Sequence, residues 1–175
     1  MKQYIIGIIL TLCLASCGQH SKHWETLTQV EAFMEERPDS ALAVLQSIEI
    51  GDLSSKEEKG KRALLLSIAL DKNEIRQTDF EILDPAIDYY KENGSSTEQM
   101  LTLFYQGQIH RINSQYAQAL TCFCDAIKIS DAPSNIHTIA RVYDAQGDVY
   151  KSLAKWNETI KSKLSAADCF SKLDN

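Results

Sequence analysis

The residues of this 175-residue chain that could do chemistry are five cysteines, four histidines and two aspartates one helical turn apart, Asp144 and Asp148. Cys122 and Cys124 stand two apart on a predicted helix, where side chains diverge too far to share a disulfide or a metal ion. With Cys169 they make an odd set, so at least one thiol is expected to stay unpaired, and Cys122 and Cys124 read as small apolar fillers between packed helices rather than as a redox pair. His20, His23, His110 and His137 share no spacing with the cysteines that suits a metal, and no metal site is expected. The chain carries no Gly-x-Ser-x-Gly elbow, no His-Glu-x-x-His helix and no glycine-rich phosphate loop. Asp144 and Asp148 then read as two solvated acids rather than a general acid/base pair. The expectation is a protein without catalytic residues or cofactor, and not an enzyme.

Cys17 has a different setting. Met1-Lys2-Gln3-Tyr4 carries one positive charge and precedes the apolar run Ile5 to Leu12, extended by Cys13 and Leu14. That is the layout of a secretory leader, and the run falls short of the roughly 20 apolar residues a transmembrane helix needs. Leu14-Ala15-Ser16-Cys17-Gly18 resembles the bacterial lipobox, in which the cysteine is lipidated and becomes the mature N-terminus. The plainer alternative is an ordinary signal peptide with a coincidental cysteine. Several acyl chains on Cys17 would hold the protein on a membrane where a single chain binds only marginally. The resemblance implies a leader over 1–16, a polar tether over 17–23 and a lipid-anchored protein of the cell envelope. Gly18 after the cysteine resembles outer-membrane sorting, with the periplasmic or surface orientation left open.

The elements behind these residues are helical. The chain has 3 Pro and 7 Gly, is 44% hydrophobic, and holds 18 basic against 24 acidic residues for a net charge of −6. This composition suits long helices and disfavours a nucleic-acid partner. From Trp24 onward apolar residues recur at three- and four-residue steps. The predicted helices are 24–36, a second from Ala41 past Ile48, a third opened by a capping box at Ser54-Ser55-Lys56-Glu57, and a fourth opened by Thr78-Asp79-Phe80-Glu81. Pro85 either kinks the fourth or marks its true start, with Asp84 as N-cap. Helices over 95–112, 115–129, 135–152 and 155–173 complete four hairpins of an all-α chain.

A repeat runs through the second half. Leu103, Gly107, Ala119, Phe123 and Ala126 fall at the spacing of the tetratricopeptide pattern, with Pro133 just beyond its usual terminal proline. Gly107 and Ala119 would let two helices approach closely while Phe123 fills their seam. Tyr143, Gly147 and Tyr150 repeat the first-helix pattern, and Lys155-Trp156-Asn157-Glu158-Thr159 occupies the turn. The two glycines lie 147 − 107 = 40 residues apart, beyond the usual period of roughly 34. Thr159 and Lys163 stand where Ala and a large aromatic are expected, which suggests a partly solvent-facing end helix. The chain thus resembles the tetratricopeptide-repeat lipoproteins. The hairpin with Pro38-Asp39-Ser40-Ala41-Leu42 and the segment Ala86-Ile87-Asp88-Tyr89-Tyr90 extend the likeness over nearly the whole chain. The resemblance implies a short α-solenoid of stacked antiparallel hairpins over 24–175, with its clearest repeats near 100–133 and 140–173.

Such an array presents a curved surface lined by first helices, suited to a protein or peptide partner. The expected partner-binding residues are Leu101, Phe104, Gln108, Arg111, Arg141, Asp144, Asp148 and Lys151, with Arg111 and Arg141 placed to bind carboxylates. Leu101 and Phe104 equally read as core, and the charged residues as a solvated helix face. The resemblance implies an envelope adaptor. Some family members continue into a membrane-spanning regulator, and Ser171-Lys172-Leu173-Asp174-Asn175 resembles a repeat junction, so the alternative is the sensory input of a truncated regulator.

Overall fold

The computed structural model describes residues 21–129 and 135–173. Cys17, the leader, most of the tether and Pro133 lie outside the described residues. Eight α-helices and no strand occur within them: α1 (Lys22–Phe33), α2 (Pro38–Ser47), α3 (Lys56–Lys72), α4 (Asp84–Asn93), α5 (Ser96–Ile112), α6 (Tyr116–Ile129), α7 (Ile136–Ser152) and α8 (Trp156–Ser171). Each packs on its neighbour in sequence, and α1, α3, α5 and α7 also touch in succession. No helix among the described residues is long and apolar enough to cross a membrane.

Local chemistry sets the helix starts. Ser21 caps α1 by accepting from the Trp24 N–H, so Lys22 and His23 belong to the helix rather than to a tether. Ser55, one residue later than expected, caps α3, and the Glu58 carboxylate reaches back to the Ser54 N–H at 2.7 Å. Burial alone would raise the Glu58 pKa, but hydrogen bonds from Ser21, Ser54 and Ser55 bring it below the usual range. Ser95 and Glu98 form a full capping box on α5. The fourth helix does not open at Thr78. Asp79 Oδ1 accepts from the Glu81 N–H instead, turning the chain, and α4 starts at Asp84 with Leu83 at its cap and Pro85 in its first turn. Pro85 therefore marks a start and not a kink, where its missing N–H costs no helical bond.

The first helices obey a stricter period than the side-chain pattern suggests. α3, α5 and α7 each have 17 residues and start 40 residues apart, at 56, 96 and 136. Each closes on a residue of positive φ at the same register: Glu74 (59°), Ser114 (59°) and Ala154 (55°). Beyond each one the next N–H bonds five residues back, Ile75 to Leu70, Gln115 to His110 and Lys155 to Tyr150, at 2.8–2.9 Å. These bonds satisfy terminal carbonyls and turn the chain sharply. The core is in two parts that meet on α3. Leu65, Leu66, Ala69 and Leu70 pack with α1 and α2, while Ala63 and Leu64 join a larger cluster running through Phe104, Phe123 and Val142 to Val149.

Candidate functional site

Two depressions meet on the side formed by α3, α5 and α7. One of about 460 Å³ is lined by Phe104, Gln108 and Arg111 of α5, by Arg141, Asp144 and Asp148 of α7, and by Phe170 of α8. Six of the eight residues expected to bind a partner therefore gather around one groove. Leu101 does not: it is half-buried in a separate depression against Leu64 and Ile68 of α3. Lys151 is exposed and lines neither depression.

The groove residues divide into those already engaged and those free to act. Phe104 is 1% exposed, packed against Tyr105 and Phe123, so its side chain belongs to the core and forms only the floor. Above it lies the Arg141 guanidinium, 4.6 Å from the ring centroid and ion-paired with Asp71 at the C-terminal end of α3. Tyr105 donates to the same Asp71 carboxylate at 3.4 Å. Burial pushes the Tyr105 hydroxyl up to about 12, so it stays a donor at neutral pH. Burial would lower the Arg141 pKa, but Tyr105 and Asp71 raise it, and the charge holds α7 to α3 across α5.

Asp144 and Asp148 are also taken: both accept from Lys163 Nζ of α8, at 2.7 and 2.6 Å. Arg111 differs from all of these. Its Nε donates to Gln108 Oε1 at 2.8 Å, which fixes the guanidinium's direction, and it makes no ion pair among the described residues. Of the charged residues expected to bind, Arg111 alone enters the groove with its charge uncompensated.

The second depression, about 530 Å³, shares Gln108 and Arg111 with the first and continues past Asp71, Tyr105, Arg76 and Gln77. Ser67 lies in its wall, 1% exposed, and its hydroxyl has no hydrogen-bond partner among the described residues. A buried hydroxyl left unmatched costs about 1–3 kcal/mol, which a bound polar group would relieve. Ser67, Asp71, Arg76 and Tyr105 were missed by sequence reasoning. One signal existed: Ser67, Gly107 and Gly147 stand at the same place in the 40-residue period, but the sequence repeat is read from glycines and passes over a serine.

Among the described residues the three thiols are free, with Cys122 buried and Cys124 and Cys169 half-buried. Burial pushes Cys122 up to about 11, which keeps it protonated and inert. Among the described residues no group of three or more His, Cys, Asp or Glu could hold a metal ion. No protein-family model matches this chain, and comparison with curated proteins and with solved structures gives no significant match.

Proposed function

We propose that this protein is a lipid-anchored adaptor of the bacterial envelope, a short tetratricopeptide-like solenoid that holds another protein or peptide in the groove of its first helices. The observation that carries the reading is the gathering of Gln108, Arg111, Arg141, Asp144 and Asp148 around one groove in which Arg111 keeps an uncompensated charge. A planar guanidinium held by a neighbouring amide suits a carboxylate of the partner, which it can bind with two parallel hydrogen bonds. The succession of first-helix contacts and the 40-residue period support the solenoid. Binding is favoured over catalysis because the two groove aspartates are both matched by Lys163. The anchor rests on Leu14-Ala15-Ser16-Cys17 and the apolar run before it.

Two experiments test the parts separately. Metabolic lipid labelling in the native cells should mark the protein and fail on Cys17→Ala; an unlabelled wild-type band removes the anchor. Affinity capture with the full chain should yield a protein that Arg111→Glu loses and Lys151→Glu retains. Equal loss from both variants, or retention by both, would take the groove out of the function.

A further inference from the structure

The larger of the two depressions that share Arg111 lies where α3 and α5 end, and part of its wall is the chain leaving α3. Glu74, in its left-handed conformation, turns that chain so that Ile75, Arg76 and Gln77 line the cavity. The connection is pinned to the end of α5. Asn113 Nδ2 donates to the Thr78 carbonyl at 2.7 Å, and the Phe80 and His110 rings stack with centroids 4.9 Å apart. Gln77 is itself fixed, its Nε2 donating to the Asp79 carbonyl at 3.3 Å. A wall tied down in this way makes a cavity that is formed before anything enters it.

The groups left unsatisfied on that wall are mostly donors. Arg76 and Arg111 both line it, and neither makes an ion pair among the described residues. Gln108 turns its Oε1 to Arg111, which leaves its amide N–H groups for another acceptor, and the buried Ser67 hydroxyl has no partner among the described residues. The acceptors, by contrast, are engaged. Asp71 already receives Arg141 and Tyr105. Helix-terminal carbonyls, which would repel an anion, are bonded on both helices: those of Leu70 and Asp71 by the Ile75 and Glu74 N–H groups, those of His110 and Arg111 by Gln115 and Ser114. With Asp71 matched by Arg141, the charges that remain are Arg76 and Arg111 against the exposed Glu74, one positive charge in excess. Ile109, Ile112 and the 47% exposed Ile75 give the same cavity an apolar side.

We infer that this cavity binds a small organic acid, its carboxylate held by Arg111 and Arg76 and its short apolar body lying on Ile75, Ile109 and Ile112. A volume of about 530 Å³ falls in the range of small-molecule sites and suits a body of one ring or a short branched chain. A carboxylate matches the wall because it accepts without donating, and a guanidinium can give it two parallel hydrogen bonds. A neutral polyol would leave the excess charge unmatched, and a bare inorganic anion would leave Ile75 in water. The site does not rest on the adaptor reading. Ile75, Arg76 and Ile112 do not line the groove assigned to the partner, and Gln108 and Arg111 are the residues common to both depressions.

The test is equilibrium dialysis of the protein purified from its native cells against 3-phenylpropanoate and 4-methylpentanoate. At least one acid should bind saturably, about tenfold more weakly to Arg76→Gln and to Arg111→Gln, and with unchanged affinity to Lys151→Gln. Arg76 and Lys151 are exposed, so neither substitution should move the melting temperature. The neutral 3-phenylpropanamide binding as tightly as its acid overturns the anion assignment, and inorganic phosphate binding as tightly as either acid overturns the apolar half of the site. No saturable binding of either acid, or binding indifferent to Arg76→Gln, overturns the proposal altogether. Arg76→Gln also separates this site from the partner groove: it should weaken the acid and leave partner capture intact, and loss of both would overturn a small-molecule site distinct from that groove.

Discussion

The hairpins α5/α6 and α7/α8 share a 17-residue first helix, a period and a tight turn, yet they are glued by opposite chemistries. In α5/α6 the Phe123 ring lies on Gly107 so closely that a Cβ there would stand 2.5 Å from Cε1. Ala119 and Ala126 complete a dry seam, and Phe123 is fully buried. In α7/α8 the corresponding place over Gly147 is taken by the Lys163 stem, whose ammonium then runs out to Asp144 and Asp148. A hydrogen bond from Ser162 to Gln146 replaces apolar contact nearby, and the Lys163 side chain remains 36% exposed. One backbone arrangement thus accepts either filler. The choice decides whether the hairpin belongs to the core or stands as a softer, polar-seamed end.

The largest expected effect comes from removing the two fillers. Phe123→Ala should lower stability by about 3–5 kcal/mol, because it empties a rigid seam. Lys163→Ala should cost less than about 1 kcal/mol, since a part-exposed ion pair contributes little and only the stem's packing is lost. Denaturant unfolding of the two variants measures the contrast, and equal losses would break it.

The glycines sharpen the same point. At Gly107 an added methyl meets an aromatic ring with no room to move, and Gly107→Ala should destabilise by about 1–2 kcal/mol after its gain in helix propensity. At Gly147 the nearest atom is Lys163 Cε at 2.9 Å, the far part of a flexible side chain. Gly147→Ala should then be neutral or stabilise by up to about 1 kcal/mol. A loss at Gly147 matching that at Gly107 would mean the lysine seam is as rigid as the phenylalanine one.

Alkaline unfolding separates the hairpins by charge. Burial raises the Tyr105 pKa, so the unfolded chain releases that proton first and stability falls as pH rises above about 10. Burial lowers and Asp144 and Asp148 raise the Lys163 pKa, with a net rise, so its contribution is present below 10.5 and disappears as pH climbs through the folded value. Both slopes run downward. Tyr105→Phe should flatten the stability curve above pH 10 more than Lys163→Met, because the lysine is partly solvated. The smallest effect is expected at the turns. Ser114→Gly and Ala154→Gly should each raise stability by a few tenths to about 1 kcal/mol, by relieving a left-handed backbone that suits glycine.

These contrasts also explain what the sequence carried and what it withheld. Helix positions followed from apolar spacing, and Gly107, Ala119, Phe123 and Ala126 announced the α5/α6 seam because the small and large residues that form it lie within 20 positions of one another. The third 40-residue unit was hidden. Pro85 delays α4 to Asp84, Ser67 replaces the glycine, and Glu74 makes a left-handed turn that no glycine advertises. Lys163 in place of a large aromatic points to a partly solvent-facing end helix, and its side chain is 36% exposed; what the sequence does not announce is that its stem fills the seam and its charge satisfies Asp144 and Asp148. The Asp71–Arg141 pair spans 70 residues, and no local pattern announces a contact that only stacking creates. Arg111 stands out as a candidate by type alone; that it makes no ion pair among the described residues is visible only once Asp71 and Lys163 have engaged the other charges.

The most direct measurement places a photo-cross-linking amino acid at Gln108 in the groove and, separately, at the exposed Gln118 on α6, in the full chain in its native cells. The account predicts a discrete cross-linked partner from Gln108 that Arg111→Glu eliminates, and none from Gln118. A partner captured from Gln118 alone, or a Gln108 band indifferent to Arg111→Glu, would contradict the assignment of the first-helix groove as the working surface.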